Sequence, residues 1–165
     1  MENAFRQIAD GEIAAGYRLI VERTDWLNQN GIRQWPRPIP EAIIRQRQAD
    51  GNFYGYWVDD ELMAVVCLLK HSATAWGDLL HGNYLVLASL VSSLAQAGRG
   101  HGRSCLLQAC EYTRRAGYEK LYLDCVDNAG ALPGYYARLG FLPVETQTLP
   151  DGRRVVLMAK VLQRP

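Results

Sequence analysis

Leu85-Val86-Leu87-Ala88-Ser89-Leu90-Val91-Ser92, then Gly98-Arg99-Gly100-His101-Gly102, then Arg103-Ser104-Cys105-Leu106-Leu107-Gln108-Ala109-Cys110-Glu111-Tyr112 is the stretch that decides how this chain folds. The first run is apolar with turn residues behind it and reads as a buried strand; the last places apolar side chains at helical spacing. Three glycines therefore sit where a strand hands the chain to a helix N-terminus. The first amides of a helix lack intrahelical partners, the helix dipole adds partial positive charge, and glycine lets a ligand approach the backbone closely. Together these properties describe an anion site, most often one for phosphate. Arg99 and Arg103 flank the turn and offer charge-assisted hydrogen bonds to phosphate oxygens. The plain alternative is a strand-to-helix turn that needs glycine for its backbone conformation alone. Glycine at every second position, with two arginines, favours the phosphate reading.

Working outward, 165 residues suit one domain spanning 1–165, and 48% hydrophobic with 21% charged residues is a globular composition. With 18 basic against 17 acidic residues the net charge is +1, which leaves no footprint for nucleic acid or an anionic membrane. No apolar run reaches the ~20 residues that cross a bilayer, and Met1-Glu2-Asn3 does not open a signal peptide, so the expected address is cytoplasmic. Cys67, Cys105, Cys110 and Cys125 lie in apolar segments without C-x-x-C or Cys/His ligand spacing. They read as small buried thiols, and no metal site is expected.

Toward the N-terminus, Phe5-Arg6-Gln7-Ile8 alternates like an edge strand, and Asp10 stands where it can cap a helix carrying Ile13, Ala14, Tyr17, Ile20 and Val21 through to Trp26-Leu27. Asn28, Asn30 and Gly31 stop that helix. Pro36, Pro38 and Pro40 exclude a helix from the next stretch, leaving a loop that carries Trp35 and Ile39. A second helix, Glu41 to Ala49, turns Ile43 and Ile44 inward. The two helices with their aromatic loop are either plain packing or the wall of a ligand cleft. Phe53 to Val58 and Glu61 to Lys70 form a hairpin about Asp59-Asp60, and the unbroken apolar run of its second strand places that strand centrally, covered on both faces. His71 to His81 is an irregular connection with Trp76-Gly77-Asp78 at its middle. Beyond the glycine turn come the strand Lys120 to Val126, a polar break at Asp127-Asn128, and a short helix from Leu132 with Pro133 in its first turn and Gly140 behind it. Phe141 to Thr146 and Arg154 to Val161 then form two strands around Pro150-Asp151-Gly152. This order predicts an α/β domain with a single mixed sheet and helices on both faces.

No lysine follows the glycines, so the turn does not match a Walker-type loop and argues against a triphosphatase. A dinucleotide fold is the stronger rival, since Asp124 ends the next strand ~20 residues downstream. However, the glycines are spaced G-x-G-x-G, and the chain closes in two antiparallel strands rather than further parallel ones.

Arg99-Gly100-His101-Gly102-Arg103-Ser104-Cys105-Leu106, with the strand before it, resembles the acetyl-CoA signature [Q/R]-x-x-G-x-[G/A] of the GCN5-related N-acetyltransferases. Leu123-Asp124-Cys125-Val126-Asp127-Asn128 with Tyr135-Tyr136-Ala137-Arg138-Leu139-Gly140-Phe141 is similar to the same family's N…YY-x-x-L-G-F segment. Trp26-Leu27, Gly31-Ile32-Arg33-Gln34-Trp35 and Trp76-Gly77-Asp78 are similar to a bacterial branch of it. The resemblance implies an acyl-CoA N-acyltransferase-like sheet of six or seven strands, mostly antiparallel. It also implies an enzyme that moves an acetyl group from acetyl-CoA to the primary amine of a small molecule or amino-acid-like acceptor, with a homodimer as the analogous assembly. On this resemblance Leu90, Val91 and Ser92 align the pantetheine arm, Gly98, Arg99, Gly100, His101, Gly102, Arg103 and Ser104 hold the pyrophosphate, Asn128 contacts the cofactor, and Tyr136 is the general acid. Trp35, Trp76 and Asp124 are the candidate acceptor-binding residues.

Two departures stand out. The signature's first Gln or Arg falls on Ala97, with Gln96 one residue early, and the spacing from Gly140-Phe141 puts the asparagine position on Ala129 rather than Asn128. The strand Leu85 to Ser92 carries no carboxylate, so the base remains open among Asp124, Asp127 and Glu145 or an amine that arrives neutral. His71, His81 and His101 are single loop histidines with no base role assigned. Tyr136 is preferred over Tyr135 on the expectation that the two do not both face inward. Tyr54, Tyr56, Trp57 and Trp35 are either an aromatic acceptor pocket or core. The rival functions are a catalytically inactive acyl-CoA binding module, favoured by Ala97 and the missing carboxylate, and a dinucleotide oxidoreductase.

Overall fold

The structure is a computed structural model and describes residues 2–32, 34–70 and 76–163; His71 and Arg33 lie outside the described residues. Seven strands form one sheet: β1 (Asn3–Gln7), β2 (Phe53–Val58), β3 (Glu61–Leu69), β4 (Tyr84–Ser92), β5 (Lys120–Val126), β6 (Leu142–Thr148) and β7 (Arg154–Val161), in spatial order β1-β2-β3-β4-β5-β7-β6. Every neighbouring pair is antiparallel except β4 and β5, so the sheet is mixed and mostly antiparallel, as expected. The helices are α1 (Ile13–Gln29), α2 (Glu41–Ala49), α3 (His101–Arg115) and α4 (Ala131–Arg138).

The central run of β3 explains its composition. Ala64, Val66 and Leu68 point to one face, against Cys105, Leu106 and Ala109 of α3, while Val65 and Cys67 point to the other, with Ile13 and Ile20 of α1 and Ile44 of α2. A strand covered on both faces has no position left for a polar side chain. All four cysteines are buried free thiols, and burial pushes the pKa values of Cys67 and Cys125 up to about 11 and about 12. The β2–β3 turn is tight because Asp59 and Asp60 both adopt the left-handed conformation, φ 49° and 66°, which matches the twist of a two-residue hairpin. Tyr54, Tyr56 and Trp57 prove to be core residues, each under 8% exposed. Tyr54 stacks on Phe5 and donates a 2.9 Å hydrogen bond to the Tyr112 hydroxyl.

Two local expectations are corrected. Asp10 does not cap α1: it opens a short 3-10 turn, Asp10–Glu12, in which the Glu12 carboxylate accepts from the Ala9 N–H at 2.8 Å. Arg6 pairs with the same carboxylate, and together these bonds hold the Glu12 pKa down to about 2. Ile43 faces solvent, and only Ile44 of α2 is buried.

One irregularity matters for the site. β4 pairs with β5 only through Tyr84, Leu85 and Val86. Against β3, Val91 faces Val65 and Ala88 faces Cys67, so Ser89 and Leu90 together oppose the single residue Val66, with Ser89 at φ 54°. This is a β-bulge, and bulges bend their strand. Beyond Val86, β4 has no strand neighbour on its β5 side among the described residues, and the sheet is open there. β5 continues alone to Val126 along β7. No described helix is long and apolar enough to cross a membrane.

Close packing on the far side of the sheet yields a stability prediction. A Cβ on Gly55 would meet the Trp57 ring at 2.6 and 2.7 Å and Ile8 at 2.8 Å. Gly55→Ala therefore lowers the unfolding free energy by about 1–3 kcal/mol, the cost of overpacking, read as a lower urea midpoint at unchanged slope.

Candidate active site

At the open half of β4 the chain makes a 3-10 turn, Leu94–Gln96, passes Ala97, and enters the glycine turn. Gly98 and Gly100 hold φ of 82° and 78°, conformations that L side chains rarely adopt, and a Cβ on either would meet nothing within 4 Å. Backbone conformation, not crowding, is what requires glycine there. Helix α3 begins at His101, two residues earlier than its apolar spacing suggests, with Gly100 as the left-handed N-cap. Its first intrahelical bond runs from the Ser104 N–H to the Gly100 carbonyl at 3.0 Å, so the amides of His101, Gly102 and Arg103 precede the helix's own bonding. Ser104 thus keeps only its hydroxyl for a ligand. Arg99 and Arg103 are exposed, and the His101 ring packs 6.2 Å from that of Tyr56 rather than pointing away.

Where β4 and β5 part, a cavity of about 210 Å³ is lined by Leu90, Val91 and Ser92 of β4, Gly102 of α3, Leu132, Tyr135 and Tyr136 of α4, Arg23 and Leu27 of α1, and Gln34 and Trp35 of the loop that follows. Tyr135 and Tyr136 both line it, contrary to expectation, because their rings meet edge to face at 5.2 Å at the cavity wall instead of pointing to opposite sides. Tyr136 is the more deeply seated: its ring meets Phe141 edge to face at 6.0 Å, and its carbonyl accepts from the Phe141 N–H. Burial pushes the Tyr136 phenol well above its ordinary value, and the nearby Cys125, Tyr135 and Asp124 push in the same direction. The group is a protonated donor at neutral pH.

Arg23 is the residue that sequence reasoning missed. Its Nη2 donates to the Ser92 carbonyl at 3.1 Å and to Ser92 Oγ at 3.2 Å, and it has no carboxylate partner among the described residues. Desolvation lowers its pKa, yet a guanidinium stays charged. The available signal was positional: Arg23 falls three residues after Ile20 and four before Leu27, on the stripe that α1 buries. Asn128 is exposed with φ 44°, starts a 3-10 turn capped by Asp127, and lines neither this cavity nor the next.

A second cavity of about 210 Å³ lies on the α1–α2 face of the sheet and brings Trp35, Trp76 and Asp124 together with Gln34, Cys125, Val126, Gln147, Leu149, Arg153 and Val155. Trp76 is buried and its indole Nε1 donates to Asp124 Oδ2 at 2.8 Å, which fixes the carboxylate on the cavity wall. Asp127 is instead occupied in capping the Gly130 N–H at 3.1 Å, and Glu145 sits on the exposed edge strand β6, accepting from the Thr146 N–H at 3.0 Å. Of those three carboxylates, Asp124 lines the second cavity, and Asp127 and Glu145 line neither of the two. Arg153 bonds Asp151 through Nε at 2.8 Å and the Gln34 carbonyl through Nη1 at 2.7 Å. That contact ties the β6–β7 turn to the loop after α1, whose Trp35 and Pro36 carbonyls also accept from Asn28. Trp35 lines both cavities and so stands between them.

Comparison with known proteins agrees with this geometry. The family model described as the acetyltransferase (GNAT) family matches residues 20–141. The uncharacterized N-acetyltransferase YesJ of Bacillus subtilis (strain 168) is 31% identical over 139 residues, covering 80% of this chain and 76% of that protein. A GNAT-family acetyltransferase from Listeria monocytogenes 4b F2365 superposes with a TM-score of 0.84 at 20% identity, over 98% of this chain and 96% of the other. The ribosomal-protein-S18-alanine N-acetyltransferase of Escherichia coli does so with a TM-score of 0.73 at 15% identity, over 99% and 96%. Two further structures of similar fold are complexes with coenzyme A or acetyl-CoA. At these identities the structures establish the fold.

The Arg153 tie generates the next prediction. Arg153→Ala removes a charge-assisted hydrogen bond from a side chain only 18% exposed. Amide hydrogen exchange in residues 34–40 and 149–153 should accelerate at least about tenfold while the α3 amides keep their protection; unchanged exchange in both loops would show that the tie contributes nothing.

Proposed function

Since the chain belongs to the GNAT family of acetyltransferases, we propose that it transfers an acetyl group from acetyl-CoA to the primary amine of a small molecule or amino-acid-like acceptor, by direct attack on the thioester. The observation that carries this reading is the meeting of two cavities at Trp35, one holding the open half of β4 and Tyr136, the other holding Asp124.

Acetyl-CoA supplies an acetyl group already activated as a thioester. The residues fit it: the amides of His101, Gly102 and Arg103 at a helix N-terminus, with Arg99 and Arg103 beside them, suit a diphosphate. The backbone of Leu90 to Ser92, with no strand beside it on its β5 side and its Ser92 carbonyl taken by Arg23, suits the amide-bearing pantetheine arm, and a β4 amide there would polarise the acyl carbonyl. Asn128 stands as an outer contact to the cofactor. Tyr136 donates a proton to the departing thiolate. Its raised pKa keeps the phenol protonated at neutral pH and through the ordinary tyrosine range, so it does not by itself set an alkaline limit on activity below pH ~10.

On the acceptor side, Asp124 receives the incoming ammonium while Trp35 and Trp76 offer aromatic faces that attract the same cation. Asp124 then takes up the amine proton directly or through water, and the neutral nitrogen attacks within the confined space past Trp35. The Arg153–Gln34 tie favours a small acceptor, since a polypeptide would have to part the two loops that it joins. A second copy of the chain would find an apolar edge at β6, where Leu142 is 69% exposed.

The experiment is free-thiol release from acetyl-CoA over a panel of amines, compared across variants. Tyr136→Phe should lower kcat by roughly 10²–10⁴-fold with CoA affinity retained. Asp124→Asn should raise KM for the amine at least about tenfold with a smaller effect on acetyl-CoA. Full turnover by Tyr136→Phe would remove the acid role. Tight CoA binding by the wild type without turnover on any amine would instead support the inactive binding module, the reading that Ala97 favours.

A further inference from the structure

Behind the bulge of β4 lies a third cavity, of about 150 Å³, lined by Ile20 of α1, Trp35, Arg37 and Ile39 of the loop between α1 and α2, and Ser89 of β4. Nothing in the reading above uses it. Two of its polar wall groups already have partners: the Ser89 hydroxyl accepts from Arg47 Nη1 at 3.3 Å, and the Ile39 carbonyl accepts from the Tyr17 hydroxyl at 2.8 Å. Arg37 is exposed. What remains facing inward is the aliphatic surface of Ile20 and Ile39 and the indole of Trp35, and an apolar space of this size takes a group about as large as a benzene ring.

Position gives the cavity its meaning. Ser89 directly precedes Leu90, the first of the β4 residues that line the cofactor cleft, and Trp35 is a wall of both spaces. The bulge is what separates β4 from a regular ladder at this point, leaving Ser89 and Leu90 opposite one residue of β3. A thioester sulfur placed between Leu90 and Tyr136 would therefore lie one residue along β4 from Ser89 and share the Trp35 wall with this space.

We propose that this cavity is an acyl-chain pocket, and that the protein accepts CoA thioesters longer than acetyl, with propionyl and butyryl chains lying between Ile20, Ile39 and Trp35. This rests on the acetyltransfer reading and extends it to the donor. The transfer is otherwise unchanged: a nitrogen–carbon bond forms, the carbon–sulfur bond breaks, one proton leaves the amine and one arrives on the departing thiolate, so amine and thioester are the only reactants.

The test needs no acceptor. CoA, acetyl-CoA, propionyl-CoA and butyryl-CoA are titrated calorimetrically into the wild-type protein and into Ile39→Phe, a substitution that fills the cavity. Each methylene moved from water to an apolar wall tightens binding roughly fourfold, so butyryl-CoA should bind the wild type about fifteenfold more tightly than acetyl-CoA. In Ile39→Phe that advantage should vanish. Butyryl-CoA binding no tighter than acetyl-CoA would overturn the pocket while leaving acetyl transfer intact, as would an unchanged advantage in a folded Ile39→Phe. The wild-type series decides the matter if that variant does not fold. Failure of every thioester and of CoA itself to bind would overturn the acetyltransfer reading, and the pocket with it.

Discussion

The structure turns on the interrupted ladder between β4 and β5. A parallel pair buried between helices normally hydrogen-bonds along its length, since unpaired buried backbone is costly. Here the pairing stops after three residues and the Ser89 bulge bends β4 aside. Backbone groups that would have closed the sheet are left for something else to satisfy, and every feature of the candidate site is arranged around that gap. Helix α3 starts just past its end, α4 covers it on one face, and α1 with its following loop covers it on the other.

Charge is distributed around this gap unevenly and by local means, because the net charge of +1 provides no overall field. Arg99 and Arg103 stand at the glycine turn, while Arg23 reaches the same region from α1 and rests on Ser92. Ala97 occupies the place where the family signature has Gln or Arg, so Arg23 brings to this chain's cleft a cation that its own turn lacks at that position. Across Trp35 the sign reverses: Arg153 is paired with Asp151, and Asp124 is held by a neutral indole. On the proposed reading, an anionic donor and a cationic acceptor would meet complementary charge on the two sides of Trp35.

Much of this was legible from residues alone. The doubly buried β3, the glycine turn, the loop with its prolines and the order of elements follow from apolar runs and turn residues. What was not legible depended on contacts between distant segments. Nothing local to Leu85-Val86-Leu87 tells where pairing with β5 will stop, and the bulge at Ser89 is a matter of register, which sequence spacing does not reveal. Tyr135 and Tyr136 share a cavity because their rings meet each other, which helical periodicity does not anticipate. Trp35, Trp76 and Asp124 lie on three separate elements; the resemblance grouped them as acceptor residues, and the fold adds the wall they share and the Trp76–Asp124 bond. Asp10 misled because a 3-10 turn, Asp10–Glu12, intervenes before α1 and the Asp10 carboxylate accepts from Gln48 of the distant α2.

The central claim is that the open edge of β4 and the amides that begin α3 together receive a CoA thioester. Amide hydrogen exchange with and without saturating CoA reads both at once. Ligand-dependent protection should concentrate at residues 90–92 and 98–103, with β1 and β2 unaffected. Protection confined to other segments, with β4 exchanging as fast as in the free protein, would contradict it.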